Sequence, residues 1–141
     1  MRIFKPKFDF RSYGKVYLWM SPLFLLFYAF ERDFWNSLLL LLIQYAIITV
    51  VFLIAQFTTK YRLSDGKIYY RSFIFFGSIP VEGIHKIEVG KTLWAGMKPA
   101  TAQNGIIVYY NKYDEIYFSP ESNQEMVDAI LEINPNITVI Y

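Results

Sequence analysis

The sequence predicts an α+β fold in which an N-terminal helical hairpin precedes an antiparallel β domain that ends in one α-helix. Three observations lead to this prediction. Apolar residues, 55% of the chain, are concentrated before Thr58. After Thr58 the sequence changes to short β-prone segments separated by turn residues. Near the C-terminus, apolar residues recur at helical spacing. The 141 residues therefore divide into a hydrophobic anchor and one small domain.

The strongest signal is an apolar run from Phe34 to Phe57, which contains no charged residue. As an α-helix that rises about 1.5 Å per residue, this run is roughly 36 Å long, which is enough to cross a bilayer with some tilt. The alternative, a buried helix of a soluble protein, is usually shorter and carries a polar stripe. Only Gln44, Gln56 and a few small residues are polar here. The run is therefore predicted to be a transmembrane helix.

A shorter apolar run, Val16–Phe30, precedes it and contains Pro22. Its length of roughly 22 Å as a helix is marginal for a crossing, but aromatic residues at its ends suit the two membrane interfaces. The alternatives are a signal peptide and an interfacial helix. The run lacks a small-residue cleavage pattern and is apolar on both faces, which favours a second spanning helix. The two runs are thus predicted to form a hairpin that turns at residues 31–33.

The basic residues predict the orientation of this hairpin. Five of them precede the first apolar run and four follow the second within a short distance, whereas Arg32 alone lies in the turn. Since Lys and Arg in short flanks stay on the cytoplasmic side, both termini are predicted to face the cytoplasm at an inner membrane, with residues 1–15 as a basic tail. Contact with anionic lipid is an additional role for these flanks. The candidate lipid-contacting residues are Arg2, Lys5, Lys7, Arg11, Lys15, Arg62, Lys67 and Arg71.

The second half of the chain is predicted to consist of antiparallel strands. Asp65-Gly66 separates two β-prone segments and accepts the positive φ angles of a tight hairpin turn. In the later strand Ile84–Val89, strict alternation would place Ile84 and Ile87 on opposite faces. Two further β-prone segments, IIVYYNK and EIYFS, are predicted to pair as a second hairpin.

The C-terminal helix has two candidate starts. Ser119-Pro120-Glu121 supplies an N-cap hydroxyl and a proline that suits the first turn. Ser122 and Glu125 form a capping box one turn later. Asn134-Pro135 ends the helix. Its apolar stripe is predicted to cover an open end of the strands and consists of Met126, Val127, Ile130 and Leu131.

Four segments of the second half form a series along the chain: YRLSDGKIYYRS, IPVEGIHKIEV, IIVYYNKYDEIYFSP and AILEINPNI. This series resembles the YyaB-like bacterial pleckstrin-homology (PH) family over roughly Lys60 to Ile137. The stretch Thr101–Val108 departs from the family pattern because it lacks an arginine there. The resemblance implies a PH-like antiparallel β-barrel or sandwich with one C-terminal helix over residues 58–141, behind a transmembrane hairpin at 16–57.

The resemblance also implies a membrane-associated binding module rather than an enzyme, and a distant likeness to the sublancin immunity protein implies a role in immunity or envelope stress. The residues agree with a non-catalytic function. The chain has no cysteine, no Gly-rich phosphate loop and no nucleophile motif, and the adjacent carboxylates Asp114 and Glu115 point apart along a strand. His85, the single histidine, lacks the further ligands of a metal site. No catalytic residue, metal or cofactor is predicted.

The predicted partner surface is the irregular stretch 91–104, because loops of this length in compact domains tend to be functional or mobile. Its candidate contact residues are Lys91, Trp94, Met97 and Lys98. The alternative is that Trp94 folds back onto the domain.

The predicted partners are the lipid bilayer and an unidentified protein or peptide, and no oligomeric state is predicted. Two other functions compete with this hypothesis: a structural subunit of a membrane complex and a sensor of anionic lipid. Nucleic acid is not a predicted partner, because the region after the anchor has eight Lys and Arg residues against nine Asp and Glu residues.

Overall fold

The structure is a computed structural model that describes residues 1–141, with the exception of the side chain of Glu31. The chain forms two compact units. The helical unit consists of Asp9–Ile54. The β unit combines Met1–Phe8 with Ala55–Tyr141. The N-terminal residues therefore belong to the same compact unit as the C-terminal half of the chain.

The helical unit begins with α1, Phe10–Met20, and α2, Leu23–Glu31. The prediction of a single helix over residues 16–30 is wrong, because this segment forms two helices that are separated at Ser21-Pro22. Proline has no N–H to donate and its ring clashes with the preceding turn, so it is tolerated at a helix start and not inside one. The start at residue 10 also lies within the predicted basic tail, since the Asp9 side chain caps α1 by accepting from the Arg11 N–H at 3.1 Å.

The long apolar run forms α3, Phe34–Thr58, in agreement with the predicted helix to within one residue. Among the described residues, α3 is the one helix that is long and apolar enough to cross a membrane. It is a single candidate span, so helix length and composition do not by themselves support the predicted two-span topology. Helices α1 and α3 pack against each other in antiparallel orientation. Tyr13 packs on Phe52 with ring centroids 4.7 Å apart, and Tyr17 packs on Tyr45 at 5.3 Å.

The first sheet of the β unit is antiparallel and has the strand order β1-β2-β3-β4. Its hairpin turn is the predicted one: Asp65 and Gly66 have φ angles of 52° and 69°. The strands are β1 Arg2–Phe4, β2 Lys60–Ser64, β3 Lys67–Ser72 and β4 Phe75–Pro80.

Strand β1 lies within the predicted basic tail at residues 1–15. Ile3 pairs with Arg62 and Phe4 with Tyr61, so β1 extends the sheet beyond β2. The backbone continues along the domain, where the Lys7 N–H donates to the Ser119 carbonyl at 2.8 Å. The edge of β2 offers unpaired backbone groups, and these residues satisfy them.

The second sheet has the order β7-β6-β5-β8, and β8 runs parallel to β5. A bulge between Ile84 and Lys86 lets both Ile84 and Ile87 face the interior, so the predicted strict alternation is wrong in this strand. The strands are β5 Ile84–Lys91, β6 Gly105–Tyr110, β7 Asp114–Phe118 and β8 Thr138–Ile140.

Helix α4, Asn123–Leu131, uses the later of the two predicted starts: the Ser122 hydroxyl accepts from the Glu125 N–H at 3.2 Å. Its apolar stripe packs into the core formed by both sheets. Ser119 is buried and has a different role, because its hydroxyl accepts from the N–H groups of Thr101 and Ala102 at 3.1 and 3.2 Å.

Candidate functional site

The outer face of the first sheet carries a cleft of about 580 Å³. Alternation along β2 explains its polarity: Tyr61 and Leu63 are buried in the core, so Lys60 and Arg62 point to the opposite, solvent side. The lining residues are Ile3, Lys60, Tyr61, Arg62, Tyr69, Tyr70, Arg71, Phe76, Gly77 and Ser78.

Strand register concentrates positive charge in this cleft. Lys60 lies directly opposite Arg71, and Arg62 lies opposite Tyr69. Side chains at such paired positions have Cβ atoms roughly 5 Å apart, and like charges placed there destabilise a sheet. The ion pairs that the structure describes join Arg2 to Glu132 and Glu88 to two lysines, and none includes Lys60, Arg62 or Arg71. The cleft therefore holds three cations, and among the described residues no carboxylate offsets them.

Aromatic groups lie among these cations. The guanidinium carbon of Arg62 is 4.8 Å from the centroid of the Tyr69 ring, which is a cation–π distance. Phe76, opposite Arg71, is 79% exposed. Gly77 leaves room for the Tyr70 ring, since a Cβ there would lie 2.5 Å from the Tyr70 hydroxyl. Partial burial raises the pKa of the Tyr70 hydroxyl.

The β3–β4 turn and the first two residues of β4, next to the cleft, are strongly apolar. We call Phe73–Phe76 the apolar tip; all four side chains are exposed, including Ile74 at 66%. The Phe73 N–H donates to the hydroxyl of Thr58, the last residue of α3, at 3.0 Å. The hydroxyls of Thr59 and Ser72 are 2.7 Å apart. The apolar tip thus lies beside the residues where α3 ends.

The predicted lipid-contacting residues are only partly brought together. Arg62 and Arg71 line the cleft, and Lys67 lies on the same face at the far end of β3, opposite Ser64. Arg2 is paired instead with Glu132, at 2.8 Å. Lys5 and Lys7 follow β1, whereas Arg11 and Lys15 lie on α1 in the helical unit.

The cleft contains three residues that are not among the predicted candidates: Lys60, Tyr69 and Phe76. A signal for them was present, because the Asp65-Gly66 turn fixes the register of the hairpin. Counting outward from that turn pairs Lys60 with Arg71.

The predicted partner loop divides into two parts. Trp94 is 85% exposed, so it does not fold back onto the domain. The part from Met97 onward is fastened: the Met97 carbonyl accepts from the Tyr117 N–H at 3.1 Å, and the Lys98 ammonium lies 5.9 Å from the Tyr117 ring centroid. Lys91 pairs with Glu88 at 3.2 Å. Hydrogen bonding from Lys86, and then from Lys91, lowers the pKa of that carboxyl.

Two buried tyrosines hold the fastened part of this loop. The Tyr61 hydroxyl donates to the Pro99 carbonyl at 2.7 Å and accepts from the Ser119 N–H at 3.2 Å. Burial raises the pKa of Tyr61 to about 12. The Tyr117 hydroxyl donates to the Ala102 carbonyl at 2.8 Å. Residues 97–105 therefore have a structural role, although the side chains of Met97 and Asn104 are exposed, and the longest exposed stretch of the loop is residues 94–97.

Comparison with known proteins agrees with this fold. The profile of a family described as Bacterial PH domain matches residues 59–134. The chain belongs to this bacterial PH-domain family. A Bacillus subtilis (strain 168) protein named "Uncharacterized protein YyaB" is 27% identical over 81 residues, which are 57% of this chain and 56% of that protein. The chain thus spans about half the length of this curated relative. No solved structure matches the chain.

The bacterial PH domain and the YyaB-like resemblance are confirmed, and the likeness to an immunity protein stays a prediction. The matched residues extend from the start of β2 past the end of α4. They include all of the cleft except Ile3, which is contributed by β1. The cleft is therefore a surface of the PH domain itself, completed by the N-terminal strand. Among the described residues, no group of three or more His, Asp or Glu side chains could hold a metal ion.

Proposed function

We propose that the chain is a non-catalytic binding module of the inner membrane, in which two membrane crossings hold the bacterial PH domain at the cytoplasmic face and the cationic cleft binds anionic lipid headgroups. The main support for lipid binding is the arrangement of positive charge in the cleft. The predicted orientation from the basic flanks supports the cytoplasmic placement.

The division of the chain into two compact units supports two membrane crossings rather than one. Both ends of the helical unit join the β unit, because Met1–Phe8 and Ala55–Tyr141 fold together. If α3 crosses the membrane, the chain between Phe8 and Phe34 must cross it as well. Residues 10–31, in α1 and α2, provide roughly 33 Å at about 1.5 Å per residue, which is close to the thickness of the hydrocarbon core. The break at Pro22 is tolerable in such a crossing, since neighbouring helices can satisfy the freed backbone groups.

Labelling of single cysteines tests the topology. The chain has no cysteine, so one residue at a time can be replaced: exposed Asn36 at the start of α3, and Tyr113, 85% exposed in the β6–β7 turn. In intact cells a membrane-impermeant thiol reagent is expected to label Asn36→Cys and not Tyr113→Cys. Labelling of Tyr113→Cys in intact cells would place the PH domain outside and overturn the proposal.

The chemistry of the cleft favours a phosphate ligand. Lys60 and Arg71 are held side by side by strand pairing, so an anion between them removes their mutual repulsion and gains two charge-assisted hydrogen bonds. Attraction of cations near a membrane surface to anionic lipid is worth about 1 kcal/mol for each residue. Short-chain phosphatidylglycerol is expected to raise the Tm of the detergent-solubilised protein, and short-chain phosphatidylcholine is not.

A double variant identifies the cleft in that experiment. Lys60→Gln with Arg71→Gln is expected to abolish the stabilisation by phosphatidylglycerol. Lys112→Gln, in the β6–β7 turn, removes a charge elsewhere in the domain and serves as the matched control. Equal stabilisation of both proteins by the anionic lipid would assign the effect to another surface.

A second candidate function is docking of a protein or peptide partner at residues 92–96. The observation in its favour is the exposure of Trp94, because tryptophan is a frequent anchor of interfaces. A photo-crosslinking residue at Ala95 in living cells is expected to capture a defined partner, and Trp94→Ala is expected to abolish that capture. Crosslinks to lipid alone would remove this candidate.

A further inference from the structure

The apolar tip has a composition that water-exposed turns avoid. Phe73, Ile74, Phe75 and Phe76 follow one another, and Phe73 adopts a positive φ of 50° that directs the chain around the turn. A β-branched or aromatic residue at positive φ is strained, and such strain persists where the surroundings maintain it. Here the Phe73 N–H is held by Thr58. The conformation of the tip is therefore maintained by the surrounding structure.

The opposite end of the β unit shows what an ordinary solvent turn looks like in this protein. The β6–β7 connection consists of Asn111, Lys112 and Tyr113, and the Asn111 amide donates to the Asp114 carboxylate at 2.8 Å. Hydrogen bonds place this connection at the end away from Thr58. The Asn111 N–H donates to the Gly83 carbonyl at 3.0 Å, and Val81, two residues before Gly83, donates to the carbonyl of Gly66 in the β2–β3 turn.

The position of the tip identifies what covers it. In the proposed function α3 crosses the membrane, so Thr58, its last residue, lies at the membrane surface. Phe73 is hydrogen-bonded to Thr58, and Ser72 to Thr59, so the tip lies at that surface as well. Exposed aromatic and aliphatic side chains at this level are expected to enter the boundary between headgroups and acyl chains.

We propose that the apolar tip Phe73–Phe76 inserts into the cytoplasmic leaflet and fixes the PH domain against the bilayer, so that Lys60 and Arg71 lie at the level of the lipid phosphates. This inference rests on the proposed function, because it needs α3 to span. Charge complementarity supports it: Lys60 and Arg71 are the facing pair of β2 and β3 nearest the tip on the outer face, and neither is offset by a carboxylate among the described residues. The partner of the apolar tip is thus lipid.

The depth of single labelled cysteines in the bilayer tests the insertion. Full-length protein carrying a bimane label at Ile74→Cys is reconstituted into nanodiscs that contain phosphatidylglycerol and spin-labelled lipids. Quenching by a nitroxide at a shallow acyl position is expected to exceed twofold for Ile74→Cys and to be negligible for Tyr113→Cys, the matched exposed position at the distal end. Quenching of Ile74→Cys no greater than that of Tyr113→Cys would overturn the inference.

A third position separates this inference from the proposed function. Leu42→Cys lies inside the apolar run of α3, eight residues after its start, where a nitroxide deep in the acyl chain is expected to quench the label strongly. Strong quenching at Leu42 without quenching at Ile74 would contradict the insertion and leave α3 as a span. Absence of quenching at Leu42 would overturn the membrane-spanning proposal, and the insertion with it.

Serine substitution distinguishes insertion of these side chains from simple proximity of the domain. Phe75→Ser with Phe76→Ser is expected to reduce quenching at Ile74→Cys at least twofold. Tyr113→Ser is expected to leave it unchanged. Unchanged quenching in the Phe75/Phe76 variant would show that the side chains do not hold the tip in the bilayer, which contradicts the inference.

Discussion

The interior of the β unit and the outer face of its first sheet differ in what their side chains contact. Inward-pointing residues such as Tyr61 and Ile68 are fully buried and hydrogen-bonded or packed. Outward-pointing Lys60 and Arg71 face each other as like charges without an ion pair among the described residues. The interior stabilises the fold, and the outer face is left free for a ligand. Substitutions should therefore affect stability and lipid binding separately.

The largest loss of stability is expected from Gly105→Ala, in the interior. A Cβ at Gly105 would lie 2.0 Å from the carbonyl oxygen of Phe118. This oxygen belongs to the backbone of the paired strand β7 and cannot turn aside, so the ladder between β6 and β7 must separate. Destabilisation of about 4 kcal/mol or more is expected, measured by chemical denaturation in detergent micelles.

Gly83→Ala is the matched control for this substitution. A Cβ at Gly83 meets its nearest neighbour, Asn111, at 3.5 Å, which is an ordinary contact. A change of less than about 1 kcal/mol is expected. Similar losses for the two variants would contradict the role assigned to close packing at Gly105.

The second effect is a loss of stability at alkaline pH. The buried hydroxyl of Tyr61 has its pKa raised to about 12, whereas an unfolded tyrosine ionises near ~10. Between these values the unfolded chain has released its proton and the folded chain has not, so stability falls as pH rises through this window. Below pH ~10 the contribution is fully present. The two-unit difference corresponds to roughly 3 kcal/mol.

Denaturation midpoints between pH 9 and pH 12 measure this effect. Tyr61→Phe is expected to show a shallower decline, because the titrating group has been removed. It should also be less stable at neutral pH by about 1–3 kcal/mol, since the Pro99 carbonyl and Ser119 N–H lose their partner. Burial raises the pKa of Tyr70 and Tyr110 in the same direction, so some decline persists. An unchanged slope in Tyr61→Phe would exclude Tyr61 as a cause.

The smallest effect on stability is expected on the outer face. Lys60→Gln with Arg71→Gln removes a facing pair of like charges, so the free energy of unfolding without anionic lipid should stay constant or rise by about 0.2–1 kcal/mol. The same variant is expected to lose its stabilisation by phosphatidylglycerol. A loss of stability in both conditions would mean that these residues support the fold, and the separation between interior and outer face would then be wrong.

The elements with strong local signals could be predicted from the sequence. The apolar run of α3, the turn at Asp65-Gly66 and the capping box at Ser122 are each specified by residues close in the chain. The α+β order of the elements followed from them, whereas the PH family followed from the resemblance carried by four segments of the second half. Long apolar runs, paired positive φ angles and caps depend little on distant contacts, which is why their prediction succeeded.

Features that depend on distant contacts could not be predicted in this way. Three residues at the N-terminus form β1 only because the edge of β2 is available to them. The bulge in β5 is visible only from the pairing with β6. Arg62 and Arg71, two of the predicted lipid-contacting residues, line the cleft, but the cleft itself and its pairing of Lys60 with Arg71 depend on register. Thr58 and the apolar tip are separated in the chain by β2 and β3, so the hydrogen bond between Thr58 and Phe73 is visible only in the structure.

In the proposed topology the N-terminal strand and the PH domain lie on the same side of the membrane, and a disulfide between β1 and β2 provides a direct test. Ile3 and Arg62 face each other across β1 and β2, so Ile3→Cys with Arg62→Cys places two thiols on paired positions of the sheet. Arg62→Cys with Tyr69→Cys, paired across β2 and β3, is the control. Both pairs are expected to crosslink under mild oxidation in inner-membrane vesicles, as detected by mass spectrometry of the linked peptides. Crosslinking of the control pair without the 3–62 pair would contradict the claim.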